Sequence, residues 1–359
     1  MDFKTAENLF KSEKLNELAS TKEGAKFLRL RSLSRSKYLL DFLGQHGVDA
    51  ENLKVKEQLP TAFSLDVDQT VIDSFIKQNY EEERKLRREQ EEELFNELYK
   101  LKVFDWGGLH QNSLEKTIVD NYIKKISSYD QIEKKIETDL QSSLRGYVLC
   151  SWYNHWTSIL IEDVFKDHKR VLPALGLIPK IDFFIDETPF DLKVTYLPEG
   201  YIAESRRSAG LKPELTLLKQ SARSLGIPID SELTASEQLE NLWMKHTEFQ
   251  ASGSNTVVKE LENFRFELIS SIENNSTKLI KWLYENQGIR RFDASNRFFI
   301  VLVNTGNFFE GWKLKRALPL LKKATSEYLD AKKDVGKDVS FEWEGQTYQV
   351  KGDVLVIKN

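Results

Sequence analysis

Several ionisable groups crowd into residues 181 to 195, Ile-Asp-Phe-Phe-Ile-Asp-Glu-Thr-Pro-Phe-Asp-Leu-Lys-Val-Thr. Successive side chains of a strand point to opposite faces. Asp182, Phe184 and Asp186 therefore share one side of a first strand, and Asp191, Lys193 and Thr195 one side of a second. Leu192 and Val194 face the other way, and with Ile181, Phe183, Ile185 and Phe190 they would bury the hairpin in a sheet. A carboxylate or ammonium buried there without a partner is very costly, so something must satisfy these charges. Two acids and a lysine on a strand pair suit a divalent cation with oxygen ligands, beside a lysine that moves a proton or balances charge.

The elements around the hairpin must hold it in place. Upstream, Ser151 to His168 carries Trp152, Trp156, Ile159, Leu160, Val164 and Phe165 at helical spacing. Downstream, Pro213 to Leu225 has Leu215, Leu218, Ala222 and Leu225 on one helical face, with Lys219 and Gln220 as groups that could reach the hairpin. Residues 231 to 287 continue as helices, and Arg297 to Val303 is a continuous apolar run suited to a strand buried on both faces. Gly311 to Leu329 is helical around Pro319, and Val339 to Ile357 alternates apolar and polar residues about a Glu344-Gly345 turn.

Near the N-terminus, Phe27, Leu30, Leu33, Leu40 and Leu43 predict one helix closed by Gly44 and Gly47. Asp66 to Lys102 predicts another, whose middle, Glu81 to Glu93, has only Leu86 as an apolar residue. That stretch is expected to be a solvated bridge or a dimerisation arm, supported by pairs such as Glu81 with Lys85 and Glu83 with Arg87. The two glycines of Phe104-Asp-Trp-Gly-Gly-Leu109 mark a boundary. Two units follow: a helical region over 1–108, and a unit over 109–359 that carries the hairpin and has a helical insertion at about 231–287.

Composition narrows the classes. A single cysteine, Cys150, excludes an internal disulfide and a cysteine-built zinc site. No apolar run approaches the length that spans a bilayer, and Met-Asp-Phe-Lys-Thr offers no signal region, so a cytoplasmic location is expected. A net charge of −4 neither favours nor excludes a nucleic-acid partner, because local patches average away. No glycine-rich phosphate loop and no internal repeat is present.

An Asp opening one strand, with an acid-x-Lys triplet on the next after a short turn, resembles the core of the PD-(D/E)XK nucleases, the superfamily of the type II restriction endonucleases. The resemblance covers residues 145 to 225; Pro179 lies three residues ahead of Asp182, and the triplet is Asp191-Leu192-Lys193 where Glu is more usual at its first position. It implies an α/β (α+β) fold with a mixed central sheet flanked by helices, beside the N-terminal helical region. It also implies Mg²⁺-dependent hydrolysis of double-stranded DNA, with Asp182, Asp191 and the Leu192 carbonyl as metal ligands and Lys193 as the charge-balancing or proton-transferring group. A helical Glu ahead of the first core strand often approaches the metal in this family, and Glu162 occupies that place, with Asp163 as a competitor one residue on. A restriction role further implies a homodimer, since a double-strand cut needs two sites, and a cognate methyltransferase.

Other readings remain open at this level. A junction resolvase, transposon-end nuclease or repair nuclease would keep the same residues. A non-catalytic DNA-binding or structural protein would make Asp182, Asp191 and Lys193 a buried ion-pair cluster, although two acids and one base leave a charge that only another cation settles. His155 and His168 are thirteen residues apart, which fits no common metal-ligand pattern. Arg206, Arg207, Arg290, Arg291 and the lysines between 313 and 323 are candidate phosphate contacts or solvated surface charges.

Overall fold

The run of strong β-formers Arg297–Val303 forms the spine of the chain, buried at every position (β4). It lies parallel to Thr188–Tyr196 (β3) on one side and to Gln346–Lys358 (β6) on the other. Val171–Pro173 (β1) and Phe183–Ile185 (β2) extend the sheet antiparallel beyond β3, and Lys337–Trp343 (β5) closes the far edge against β6. The order is β1-β2-β3-β4-β6-β5, a six-stranded mixed sheet. The computed structural model describes all residues except 35–36, 107–115, 117, 177, 250–253, 287–294 and 344. The expected boundary between 108 and 109, Arg290, Arg291 and Glu344 lie outside the described residues.

The N-terminal part is helical: Phe3–Lys11 (α1), Leu15–Ala19 (α2), Lys22–Leu33 (α3), Lys37–Gln45 (α4), Val55–Ser64 (α5) and Gln69–Leu98 (α6). The single early helix expected from Phe27 to Leu43 is broken, because Ser34 turns extended after α3 and the next helix starts at Lys37. Gly47, at φ 76, lies just beyond α4. Asp68 caps α6, its Oδ1 accepting from the Thr70 amide at 2.9 Å. The core of these helices includes Leu172, Ile178, Ile181 and Phe184, so it is continuous with the β1–β2 edge of the sheet.

Tyr129–Lys135 (α7) leads through one π turn into Gln141–Lys166 (α8), which lies on one sheet face. Ile161 and Phe165 of α8 pack there with Phe183, Phe190, Leu192, Phe298 and Ile300, together with Leu321 and Leu329 of Leu318–Ala331 (α14). Pro319 sits in the first turn of α14, where its missing N–H costs nothing, so it starts the helix rather than interrupting it. Between β3 and β4 run Glu199–Ser208 (α9), Glu214–Leu225 (α10), Ala235–Glu248 (α11), Ser254–Asn274 (α12) and Thr277–Asn286 (α13). Residues of α12 and α13 cover the other sheet face against Phe299, Val301, Phe341 and Val354. Leu218 and Ala222 of α10 share a separate core with Leu239, Leu242, Trp243 and Leu261. Among the described residues no helix is long and apolar enough to cross a membrane.

Candidate functional site

The hairpin forms where the alternation predicts it, with a two-residue turn at Asp186-Glu187 and Asp186 in the left-handed region at φ 52. β3 changes partner midway. Thr188 to Phe190 pair with β2, whereas Asp191 to Tyr196 pair with β4. The candidate site lies where β3 parts from β2, in the seam between the two ladders.

Asp182 stands one residue ahead of β2, and its Oδ2 accepts the Leu192 amide at 2.7 Å. A residue's N–H and C=O leave a strand along the same edge, so the Leu192 carbonyl faces that side as well. The Asp191 amide turns the opposite way, donating to the Asn296 carbonyl at 3.0 Å. The Asp191 carboxylate is buried, and each of its oxygens meets a cation. Oδ1 accepts from Lys193 Nζ, and Oδ2 lies 3.7 Å from Arg297 Nε. The Lys193 side chain keeps 39% of its exposure, whereas that of Arg297 keeps 3% and stacks on the Tyr284 ring at 5.1 Å.

Glu162 lies on α8, its carboxylate bonded to Lys166 at 2.9 Å. Its charge is felt at Asp182. Burial first, then the negative charges of Glu162 and Asp191, push the Asp182 carboxyl from 3.8 up to about 6, while the Leu192 amide and Lys166 pull the other way. Asp163, the competing acid, turns instead toward α6: it is 3% exposed and held by Arg87 at 2.8 Å.

Not every expected group arrives. Asp186 joins Arg170, with Nη2 to Oδ2 at 2.6 Å, and takes no part in the carboxylate cluster. Gln220 accepts from Lys212 at 2.6 Å and lines a hollow of about 610 Å³ with Arg206 and Glu260. Arg206 is a buried structural group bonded to the Lys212 carbonyl and Glu260. Lys315 and Arg316 are likewise buried: Lys315 donates to Asn154 at 2.7 Å, and Arg316 to the carbonyls of Leu98 and Leu101. Burial pulls the Lys315 ammonium down to about 8. His168 bonds the Arg170 amide through Nδ1 and faces Asp330, a turn-fixing role, and His155 packs against Trp156.

Sequence reasoning missed Arg297. Its only sequence signal was an arginine opening an otherwise apolar strand, which becomes informative once the parallel register sets it directly beside Asp191. It also missed Asp353, fully buried on β6, where Lys332 donates to its two oxygens at 2.7 and 2.6 Å and Gly336 at 2.7 Å.

Among the described residues, no three His, Cys, Asp or Glu side chains lie close enough to cage a metal ion. Mg²⁺ asks for less, being held through one or two carboxylates with water and substrate phosphate in the remaining positions. Asp182 and Asp191 are hard oxygen donors, and the Asp182 carboxyl is raised first by burial and then by the negative charges of Glu162 and Asp191, both of which a cation would offset. The donor set fits such an ion. Comparison of the chain with protein-family models, curated proteins and solved structures finds no match.

Proposed function

We propose that this protein is a Mg²⁺-dependent endonuclease that hydrolyses phosphodiester bonds of double-stranded DNA, with a restriction-endonuclease-like core. The observation that carries the reading is the seam between β2 and β3, where the part-buried Asp182 carboxylate holds the Leu192 amide at 2.7 Å and the half-exposed Lys193 is bonded to Asp191 on the adjoining strand. The chain order supports it too: a helix bearing Glu162, a strand after Asp182, a strand bearing Asp191 and Lys193, then helices, as the resemblance to PD-(D/E)XK nucleases implies.

In this reading Asp182, Asp191 and the Leu192 carbonyl hold the ion, and Glu162 holds a second ion or an ordered water. The ion supplies charge neutralisation at the scissile phosphate and a more acidic water. Arg297 stays behind Asp191 as a fixed counter-charge, which leaves Lys193 free to turn from Asp191 toward the substrate. There its ammonium balances the charge that builds on the phosphate oxygens, or in neutral form takes the proton of the attacking water. In a prokaryotic cytoplasm this activity fits a type II-like restriction endonuclease acting as a homodimer, partnered by a methyltransferase that protects the host sites.

The test is incubation of the protein with plasmid and phage DNA in Mg²⁺, followed by sequencing of the ends. Cuts at one recurring sequence support the restriction role. Cuts confined to junctions, branched ends or lesions assign the same site to another nuclease role. Absence of cutting under all substrates, with DNA still bound, favours a non-catalytic DNA-binding protein.

A further inference from the structure

The charged middle of α6 takes no part in the chemistry above; most of it is exposed, as its composition suggests, but one face docks on α8. Tyr80 and Arg84 are buried against the end of α8. Arg87 grips Asp163 with a fork, Nε to Oδ2 and Nη2 to Oδ1, both 2.8 Å. Arg84 grips Asp167 in the same way, Nε to Oδ1 at 2.9 Å and Nη2 to Oδ2 at 3.0 Å, and Arg88 adds a bond of 3.1 Å to that Oδ1. The Tyr80 hydroxyl is shared between Asp163 and Asp167 at 3.3 and 3.1 Å. Behind Arg84, Glu91 joins it at 2.6 Å and Lys322 of α14 at 2.8 Å.

The two forks lie about one turn apart on each helix, so together they fix the rotation of α8 about its own axis. Glu162 precedes Asp163 by one residue and leaves the helix about 100° away from it; its carboxylate is bonded to Lys166 at 2.9 Å, and the charges of both act on Asp182. Rolling α8 by ~20° would carry a carboxylate ~5 Å from the axis through ~2 Å, well beyond the ~0.5 Å tolerance of a working site.

We propose that Arg87 and Arg84 are positioning residues: by locking Asp163 and Asp167 they set the roll of α8 and so hold Glu162 toward Asp182 and the cation bound there. This rests on the reading of Asp182 and Asp191 as a divalent-cation site whose charge balance Glu162 influences from α8. The test is a double-mutant cycle read as Ca²⁺ affinity by titration calorimetry on the full chain: parent, Arg87→Met, Glu162→Gln and the pair, with Arg87→Lys as the conservative variant. Arg87 is the better handle because its side chain is 34% exposed, and Asp163 would still face Arg84 Nη1 at 3.6 Å.

Arg87→Met is expected to weaken Ca²⁺ binding about 10-fold, the scale on which losing a group that orients a metal ligand is felt, and Arg87→Lys to recover part of it. In the Glu162→Gln background Arg87→Met should change Ca²⁺ affinity no further, although it lowers the melting temperature equally in both backgrounds. Equal weakening in both backgrounds, or none in the protein that keeps Glu162, overturns the positioning role while leaving the site reading intact. A parent that binds no Ca²⁺ overturns both. If Arg87→Met fails to melt cooperatively, Tyr80→Phe, which removes the hydroxyl shared by Asp163 and Asp167, replaces it in the cycle, with a weakening confined to the Glu162 background.

Discussion

Replacing Asp182 with Asn should make the metal-free protein more stable. In the folded chain the Asp182 carboxyl is lifted from 3.8 to about 6 by burial and by Glu162 and Asp191, so at pH 8 the fold carries an anion it disfavours. A shift of about 2 pK units corresponds to about 3 kcal/mol. Asn is close in shape and keeps an oxygen to accept the Leu192 amide, so it relieves that cost without opening a cavity. At about 2.1 cal/mol/K per residue, a chain of 359 residues melting as one unit should gain roughly 4 °C.

The sign of the pH dependence follows from linkage. Between about 6 and 3.8 the folded state binds a proton that the unfolded state does not, so the penalty is fully present above 6 and disappears as pH falls through that window. The advantage of Asp182→Asn should therefore be present at pH 8 and absent near pH 4. Calorimetry at both values, with and without millimolar Ca²⁺, reads the whole argument: the parent should gain stability from Ca²⁺ and Asp182→Asn should not. An Asp182→Asn protein that melts below the parent at pH 8, or keeps the same advantage at pH 4, would show that the ionised Asp182 carboxyl does not destabilise the fold.

Lys193→Ala should retain DNA affinity in Ca²⁺ while Mg²⁺-dependent cleavage falls by about 10² or more; undiminished cutting in an end-labelled DNA assay would remove Lys193 from the mechanism. Asp353→Ala should cost about 3–5 kcal/mol in urea unfolding, because it leaves the Lys332 ammonium and the Gly336 amide without their acceptor; a loss under 1 kcal/mol would contradict that reading. Light scattering at tens of micromolar with cognate DNA should give the mass of two chains plus the duplex, and a strict monomer with and without DNA would count against the homodimer.

The parts of the fold legible in the sequence are those with their own period. The alternation of Asp191, Lys193 and Thr195 against Leu192 and Val194 fixed which groups share a face, and the unbroken apolar run from Phe298 to Val303 marked a central strand. The turn at Gly345, with φ 77, joins two antiparallel strands as the C-terminal alternation predicts, although the sequence does not reveal that both belong to the central sheet. Pairings made between distant segments were illegible. Nothing local announces that Arg297 stands beside Asp191, because that register arises from a parallel pairing across α9 to α13. The docking of α6 on α8 was hidden for another reason. It is made of guanidinium–carboxylate forks, and charge pairing leaves no apolar stripe to read. Lys315 and Arg316 resembled surface cations because their partners, the Asn154 amide and the carbonyls of Leu98 and Leu101, lie far along the chain.

The change of partner within β3 also bears on the order in which the molecule folds. β1, β2 and the first residues of β3 pair with near neighbours, so that half of the sheet can form early from local contacts. The second half of β3 must wait for β4, which enters the chain only after five helices, and closing so long a loop is entropically slow. On that expectation Asp191 would gain its buried counter-charge from Arg297 only once β4 has docked. During synthesis the hairpin would emerge with Asp182, Asp191 and Lys193 already in sequence but not yet mounted on a rigid support. Amide exchange should record this history, with the β3–β4 and β4–β6 hydrogen bonds opening as one cooperative unit and β1–β2 opening separately at lower cost.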